Sequence, residues 1–188
     1  MYLAGPMVFL PDPDAMFDAM KAICARHGLQ GVAPPDGQTA LGSRPGHALS
    51  SAIVAADIAL MHEMDAGVFC FDGFRRSPEM DPGTAFEIGY MHELGKPLAG
   101  WTQDVQDYPA RVRAYFGGAT VRRPGKEQSG DVQSGDERDP DGVMVHSEGC
   151  MQNAMTHIGI ERSGGQVCAD LDWTVAFERA IQSLRLSR

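Results

Sequence analysis

Between Val68 and Pro97 the chain spells out one complete strand, turn, helix and stop. Val68-Phe69-Cys70-Phe71 is a short apolar run ending at Asp72, the pattern of a buried strand. Asp81-Pro82-Gly83 is turn chemistry, with Pro fixing its own φ and Gly free to take the left-handed region. Thr84 followed three residues later by Glu87 fits a capping box and predicts a helix starting at Thr84. Phe86, Tyr90, Met91 and Leu94 then recur at helical spacing, and Gly95 before Lys96-Pro97 ends the helix. The unit gathers Asp72, Asp81 and Glu87 near the carboxyl end of one strand. In open α/β sheets that is where ligands bind.

The rest of the chain repeats the alternation. Met1 to Gly5, Leu29 to Ala33, Ala66 to Phe71 and Lys96 to Trp101 read as strands. Helices are predicted over Pro13 to His27, His47 to Met61, Pro109 to Phe116, Cys150 to Ile160 and Trp173 to Leu184, the last with Trp173, Ala176, Phe177, Ala180, Ile181 and Leu184 on one face. Strands alternating with helices predict a parallel sheet covered on both faces, a flavodoxin-like doubly wound fold in a single domain spanning 1–188. The segment from about 117 to 148 breaks the pattern. It is rich in Gly, Asp, Ser, Arg and Glu, with almost no large apolar residue before Val143, and reads as an insertion outside the core.

Composition narrows the partners. A net charge of −9 over 188 residues opposes a nucleic-acid backbone or an anionic membrane and suits a neutral small molecule. No basic-then-apolar leader is visible, and no stretch approaches the roughly 20 apolar residues of a membrane span. Four cysteines without paired spacing point to a reducing, cytoplasmic setting, and the six histidines show no metal-binding spacing. Taken singly, Glu87 has a plainer role as a capping partner, Asp81 as a helix cap and Asp72 as a turn residue. Together they would repel one another unless a cation or a proton were shared among them.

The stretch Asp81-x-Gly83-Thr84-Ala85-Phe86-Glu87-Ile88-Gly89-Tyr90, with Leu94-Gly95-Lys96-Pro97 after it, resembles the active-site helix of the nucleoside 2-deoxyribosyltransferases. Tyr2-Leu3-Ala4-Gly5-Pro6 with Val8-Phe9-Leu10-Pro11 is similar to that family's N-terminus, and Gln152-Asn153-Ala154-Met155 to its Asn-x-Met segment. The three matches fall in the family's order. The resemblance implies transfer of 2-deoxyribose between purine or pyrimidine bases by double displacement, without a cofactor or a metal.

It makes Glu87 the nucleophile, oriented by Tyr2, and puts base-facing acid chemistry on Asp72 and sugar-hydroxyl binding on Asp81. On the residues alone, the roles of the two aspartates are interchangeable, and Asp72 as a proton donor needs a raised pKa. Gly5 and Gly83 would let backbone approach the sugar. Phe9 would stack on the base or pack as plain core, and Gln38 is a candidate reader of the base edge. Asn153 and Met155 would reach a neighbouring subunit's site, which implies a homo-oligomer with shared sites, a hexamer built from dimers. The competing readings are a hydrolase of deoxynucleoside 5′-monophosphates, kept open by Arg75 and Arg76; a phosphoribohydrolase, whose paired glycines are missing; and a nucleoside-binding module without catalysis.

Overall fold

The computed structural model describes residues 1–39, 41–122, 137–145 and 149–185. Its strands are β1 (Tyr2–Ala4), β2 (Gly67–Cys70), β3 (Leu98–Thr102), β4 (Val121–Arg122), β5 (Glu137–Arg138) and β6 (Val167–Ala169). Its α-helices are α1 (Pro13–Arg26), α2 (Pro34–Gly37), α3 (Gly46–Glu63), α4 (Pro82–Glu93), α5 (Tyr108–Tyr115), α6 (Ala154–Arg162) and α7 (Trp173–Ser183).

The main sheet is parallel throughout, in the order β1-β2-β3-β6. Outside β1, Val32 forms a single parallel bridge to Tyr2, with Leu3 N donating to Val32 O and Val32 N to Met1 O, both at 2.9 Å. Counting that segment as a strand gives the spatial order 2-1-3-4-5 of flavodoxin-like sheets.

Successive strand residues point to opposite faces, and the core divides accordingly. Leu3, Val68, Cys70, Ala99 and Trp101 pack against α1 and α7 through Phe17, Met20, Ile23, Phe177 and Ile181. Tyr2, Ala4, Phe69, Phe71 and Leu98 pack against α3, α4 and α6 through Leu60, Met61, Ile88, Met91 and Ile160. Tyr2 therefore points at the helix that carries Glu87, while Cys70 and Trp101 point away from it.

Buried polar groups pin the carboxyl edge of the sheet. The guanidinium of Arg111, on α5, donates to the carbonyls of Phe71 (3.0 Å) and Asp104 (3.0 Å) and to Thr102 Oγ1 (3.2 Å). Gln152 Nε2 donates to the same Phe71 carbonyl (3.2 Å) and to Pro78 O (2.9 Å). The strand end is thus held in place by side chains from two later segments.

Several expectations shift. The segment from Leu29 to Ala33 contributes one bridge rather than a strand. A strand at Val167–Ala169, which the reading did not contain, forms the other edge of the sheet. α6 begins at Ala154 rather than Cys150, because Asn153 caps it by accepting a hydrogen bond from Met155 N at 2.9 Å. Within the expected insertion, β4 pairs antiparallel with β5, and Glu137 binds Arg113 of α5 through two 2.7 Å hydrogen bonds. Residues 123–136 and 146–148 of that segment lie outside the described residues. Among the described residues, no helix is long and apolar enough to cross a membrane.

Candidate active site

The turn before α4 works differently from the capping box the spacing suggests. Asp81, not Thr84, is the N-cap: its Oδ2 accepts from Thr84 N (2.8 Å) and from Thr84 Oγ1 (3.0 Å), and Pro82 takes the first helical position. Thr84 is buried beneath it. The cap moves three residues upstream, so Glu87 sits in the second turn rather than the first. The dipole effect fades within the first turn, and the helix end does little for the Glu87 carboxylate.

Tyr2 does more. Its hydroxyl donates to Glu87 Oε1 at 2.6 Å, a short bond of the kind a charged acceptor makes. Tyr2 is fully buried on β1, so the donor is fixed by the core. Even so, burial raises the Glu87 pKa to about 7, the charges of Asp57 and Asp81 push the same way, and the Tyr2 hydrogen bond only partly offsets them. Burial and the neighbouring carboxylate hold the Tyr2 phenol well above its ordinary range, so it stays a donor.

Glu87 lines a cavity of about 390 Å³ together with Gly5, Phe9, Gln38, Asp57, Asp81, Gly83 and Thr84. Its described lining residues include three carboxylates and no Lys or Arg. Gly5 is required there: a Cβ would lie 2.5 Å from Cys70 Cβ and 2.6 Å from Met7 Sδ. Asp57, on α3, accepts from Gln38 Nε2 at 2.9 Å, and burial raises its pKa against that hydrogen bond. The arrangement provides two carboxyls in one cavity, Glu87 held by a phenol and Asp57 by an amide, each with its pKa raised by burial. That pairing is what displacement at an anomeric carbon requires.

The model for nucleoside 2-deoxyribosyltransferases matches residues 1–155, which include the whole of this cavity. The chain belongs to the nucleoside 2-deoxyribosyltransferase family. An uncharacterized protein of Schizosaccharomyces pombe is 47% identical over 189 residues, covering 98% of this chain and 87% of that protein. A solved 2-desoxiribosyltransferase from Leishmania mexicana superposes with a TM-score of 0.64 at 25% identity, covering 96% of this chain and 95% of that one.

Most of the site residues expected of this deoxyribosyltransferase relative line one cavity: Gly5, Phe9, Gln38, Asp81, Gly83 and Glu87, with Tyr2 bonded to Glu87 from the sheet. Asp72 does not join them. It lines a neighbouring cavity of about 540 Å³, and its Oδ1 accepts from Thr102 Oγ1 (2.6 Å) and Gln103 N (2.8 Å). The reason is alternation: the sheet face that carries Cys70 and Trp101 opens toward Asp72, and the opposite face toward Glu87.

Asp57 is the residue the sequence reading missed. Its signal was an acid within the apolar run Ile53-Val54-Ala55-Ala56-Asp57-Ile58, one helical turn from Ile53, which lines the same cavity. Asn153 and Met155 line neither cavity of their own chain. Met155 is 84% exposed and borders an apolar groove between α4 and α6 with Ile88 and Ile158.

Proposed function

We propose that the protein transfers 2-deoxyribose from a donor deoxynucleoside to an acceptor base through a covalent glycosyl-Glu87 intermediate. Glu87 carboxylate attacks the anomeric carbon. The carbon–nitrogen bond breaks toward the base, and the base takes a proton as it leaves. The acceptor base then attacks the same carbon, the ester bond to Glu87 breaks, and the carboxylate is restored. Asp57 is the acid in the first half and the base in the second. It supports this role better than Asp72, because it shares the Glu87 cavity and its burial favours the protonated form. Asp81 binds a sugar hydroxyl with the carboxylate oxygen that Thr84 leaves open. Gln38 orients Asp57 and the base edge beside it.

The observation that carries this reading is the 2.6 Å Tyr2–Glu87 hydrogen bond inside a cavity whose lining is acidic and free of Lys and Arg. The same lining disfavours a nucleoside monophosphate, whose phosphate would meet three carboxylates. Arg75 belongs to the other cavity. Water is a slow competing acceptor. We also propose that the protein acts in the cytoplasm as a homo-oligomer. The exposed Met155 and Phe86 support contact through α4 and α6, with Asn153 and Met155 completing a neighbour's site.

A chromatographic exchange assay tests the core of this reading. Deoxyinosine plus adenine should give deoxyadenosine with the wild type and none with Glu87→Ala. Free base released at one rate with or without adenine would mean a hydrolase, and no turnover would sink the assignment. Thymidine as a second donor sets the base range.

A further inference from the structure

We infer that Lys21 and Asp36 are positioning residues: together they strap α2 across the edge of the sheet and so hold Gln38 against Asp57. Neither residue lines the Glu87 cavity, whereas Pro34, Pro35 and Gln38, which flank Asp36 in sequence, all do. The wall of the cavity is therefore held from behind, by a cation on α1, which packs on the opposite face of the sheet.

The need for a strap comes from the size of α2. It is four residues long, far below the roughly 12–15 residues at which a helix begins to hold itself in water. Pro34 and Pro35 fix their own φ but bring no N–H to donate. What fixes the segment is its surroundings. At its start Val32 is tied to β1, and Asp36 Oδ2 accepts from Ala33 N at 2.8 Å. At its end Gly37 lies close over α3, where a Cβ would come within 3.2 Å of Leu60 Cδ2. Gln38 Nε2 then donates to Asp57 Oδ1 at 2.9 Å. Asp57 precedes Leu60 by three residues, so both contacts fall on one face of α3.

Lys21 closes the remaining side. Its Nζ lies 2.8 Å from both Asp36 oxygens, so one ammonium fixes the carboxylate that binds the start of α2. α1 can reach it because the chain at Gly31 runs close against that helix: a Cβ there would meet Cys24 Sγ at 3.1 Å and Lys21 Cα at 3.4 Å. An ion pair with 30% and 39% of its side chains exposed contributes little to stability. What it contributes is geometry, because it removes freedom from a short segment whose far end meets Asp57. Asp57 is faced by Gln38 from α2, by Glu87 and Asp81 from α4 and by the Tyr2 phenol from β1. Among these, Gln38 is the group whose bond favours ionised Asp57, against the burial that favours its proton. Slack in the strap loosens that bond.

The effect of the strap on turnover rests on the acid role proposed for Asp57, so titration is read first. Carbon-13 NMR of labelled aspartate follows Asp57 in a Glu87→Gln background, where it titrates without that partner, and Asp57→Asn assigns the resonance. Gln38→Ala should raise the Asp57 pKa by about one to two units, the effect of losing a hydrogen bond to a charged group. Lys21→Met keeps the stem and removes the charge, and it should produce part of that rise, about half a unit or more. Lys21→Arg, which keeps a donor for Asp36, should leave the titration in place. Combined with Gln38→Ala, Lys21→Met should add nothing, because the strap acts through the amide. Base exchange is read second: the alkaline limb of its pH profile should move up in Lys21→Met by the same amount. A titration that shifts while exchange does not would keep the strap and remove Asp57 from the chemistry. An Asp57 resonance that Lys21→Met leaves in place or moves down, or an equal shift with Gln38 absent, would overturn the inference.

Discussion

Tyr2→Phe removes one oxygen and should move the charge on Glu87 by a measurable amount. The Tyr2 hydroxyl donates to Glu87 at 2.6 Å and is the influence that holds the carboxyl down against burial and against Asp57 and Asp81. A hydrogen bond to a charged group is worth about 1.5–3 kcal/mol, and one pKa unit is about 1.4 kcal/mol. Losing the donor should therefore raise the Glu87 pKa from about 7 by about one to two units, to about 8–9. Under the proposed mechanism the ionised form attacks, so the variant should lose rate at neutral pH and regain it as the pH rises. Near pH 7 the ionised fraction should fall from about half to between about a tenth and a hundredth. Carbon-13 NMR of labelled glutamate, with Glu87→Gln to assign the resonance, measures the titration directly, and base exchange followed across the same pH range measures the consequence. Because Glu87 and Asp57 share a cavity, the apparent values belong to the pair, and repeating the titration in Asp57→Asn isolates Glu87. A Glu87 resonance that titrates near its ordinary 4.5 in the wild type, or one that Tyr2→Phe leaves in place, would refute the electrostatic account.

The same raised pKa has a stability consequence. A shift from 4.5 to about 7 means that the folded protein holds the Glu87 proton more tightly than the unfolded chain does. Stability therefore falls as the pH rises between those values, by up to about 3 kcal/mol. Glu87→Gln keeps the shape and drops the charge, so urea denaturation should find it more stable than the wild type at pH 8 and about equal below pH 4.5. Asp57→Asn should lower kcat/KM for base exchange by about 10²–10⁴-fold, the range of a lost general acid, and by at least about tenfold more than Asp72→Asn; the reverse order would return the acid role to Asp72. Arg111→Met should cost about 2–4 kcal/mol in chemical denaturation, because it strips donors from the Phe71 and Asp104 carbonyls at the sheet edge. Met155→Glu should shift the protein toward smaller species in light scattering, and an unchanged mass would count against contact through α6.

How much of this could be read from the residues depended on how local each signal was. The β2–α4 unit was legible because the apolar run from Val68 to Phe71, Asp81-Pro82-Gly83 and Gly95 are each decided within a few residues. The exact cap was not: both Asp81 and Thr84 are good N-cap types, and only the packing that buries Thr84 decides between them. β6 was missed because Val167-Cys168-Ala169 is too short for a pattern and becomes a strand by pairing with β3. The segment at Leu29 to Ala33 failed the other way, since its apolar pattern exceeds the single bridge that β1 accepts at the sheet edge. Asp72 and Asp57 show the hardest limit. Asp72 follows the alternation of Val68 and Cys70, but which face meets the helix of Glu87 is decided by packing across the fold, and Thr102 and Gln103 hold Asp72 on the side away from it. Asp57 comes from a helix 30 residues before Glu87, and no local spacing connects the two.

The electrostatics of the Glu87 cavity bear on why three carboxylates were brought together without a cation. Glu87, Asp57 and Asp81 share one partly dry space, and no Lys or Arg is among the described residues that line it. Full ionisation there is costly, so near neutral pH a proton is retained, and burial raises the pKa of both Glu87 and Asp57. Asp81 spends its charge on the α4 cap, bonded to the backbone and hydroxyl of Thr84. The proton is then divided between Glu87 and Asp57, and the Tyr2 donor biases that division by stabilising Glu87 in its ionised form. Under the double-displacement reading this is the working state, with a charged nucleophile below the sugar and a protonated acid beside the base. A Lys or Arg placed among the three would quench the repulsion and stabilise the fold. Under the same reading it would also favour ionised Asp57 and deprive the departing base of its proton. The instability that Glu87→Gln would relieve and the acidity that Asp57→Asn would abolish have one source: a cavity too poor in positive charge to let all its carboxyls ionise.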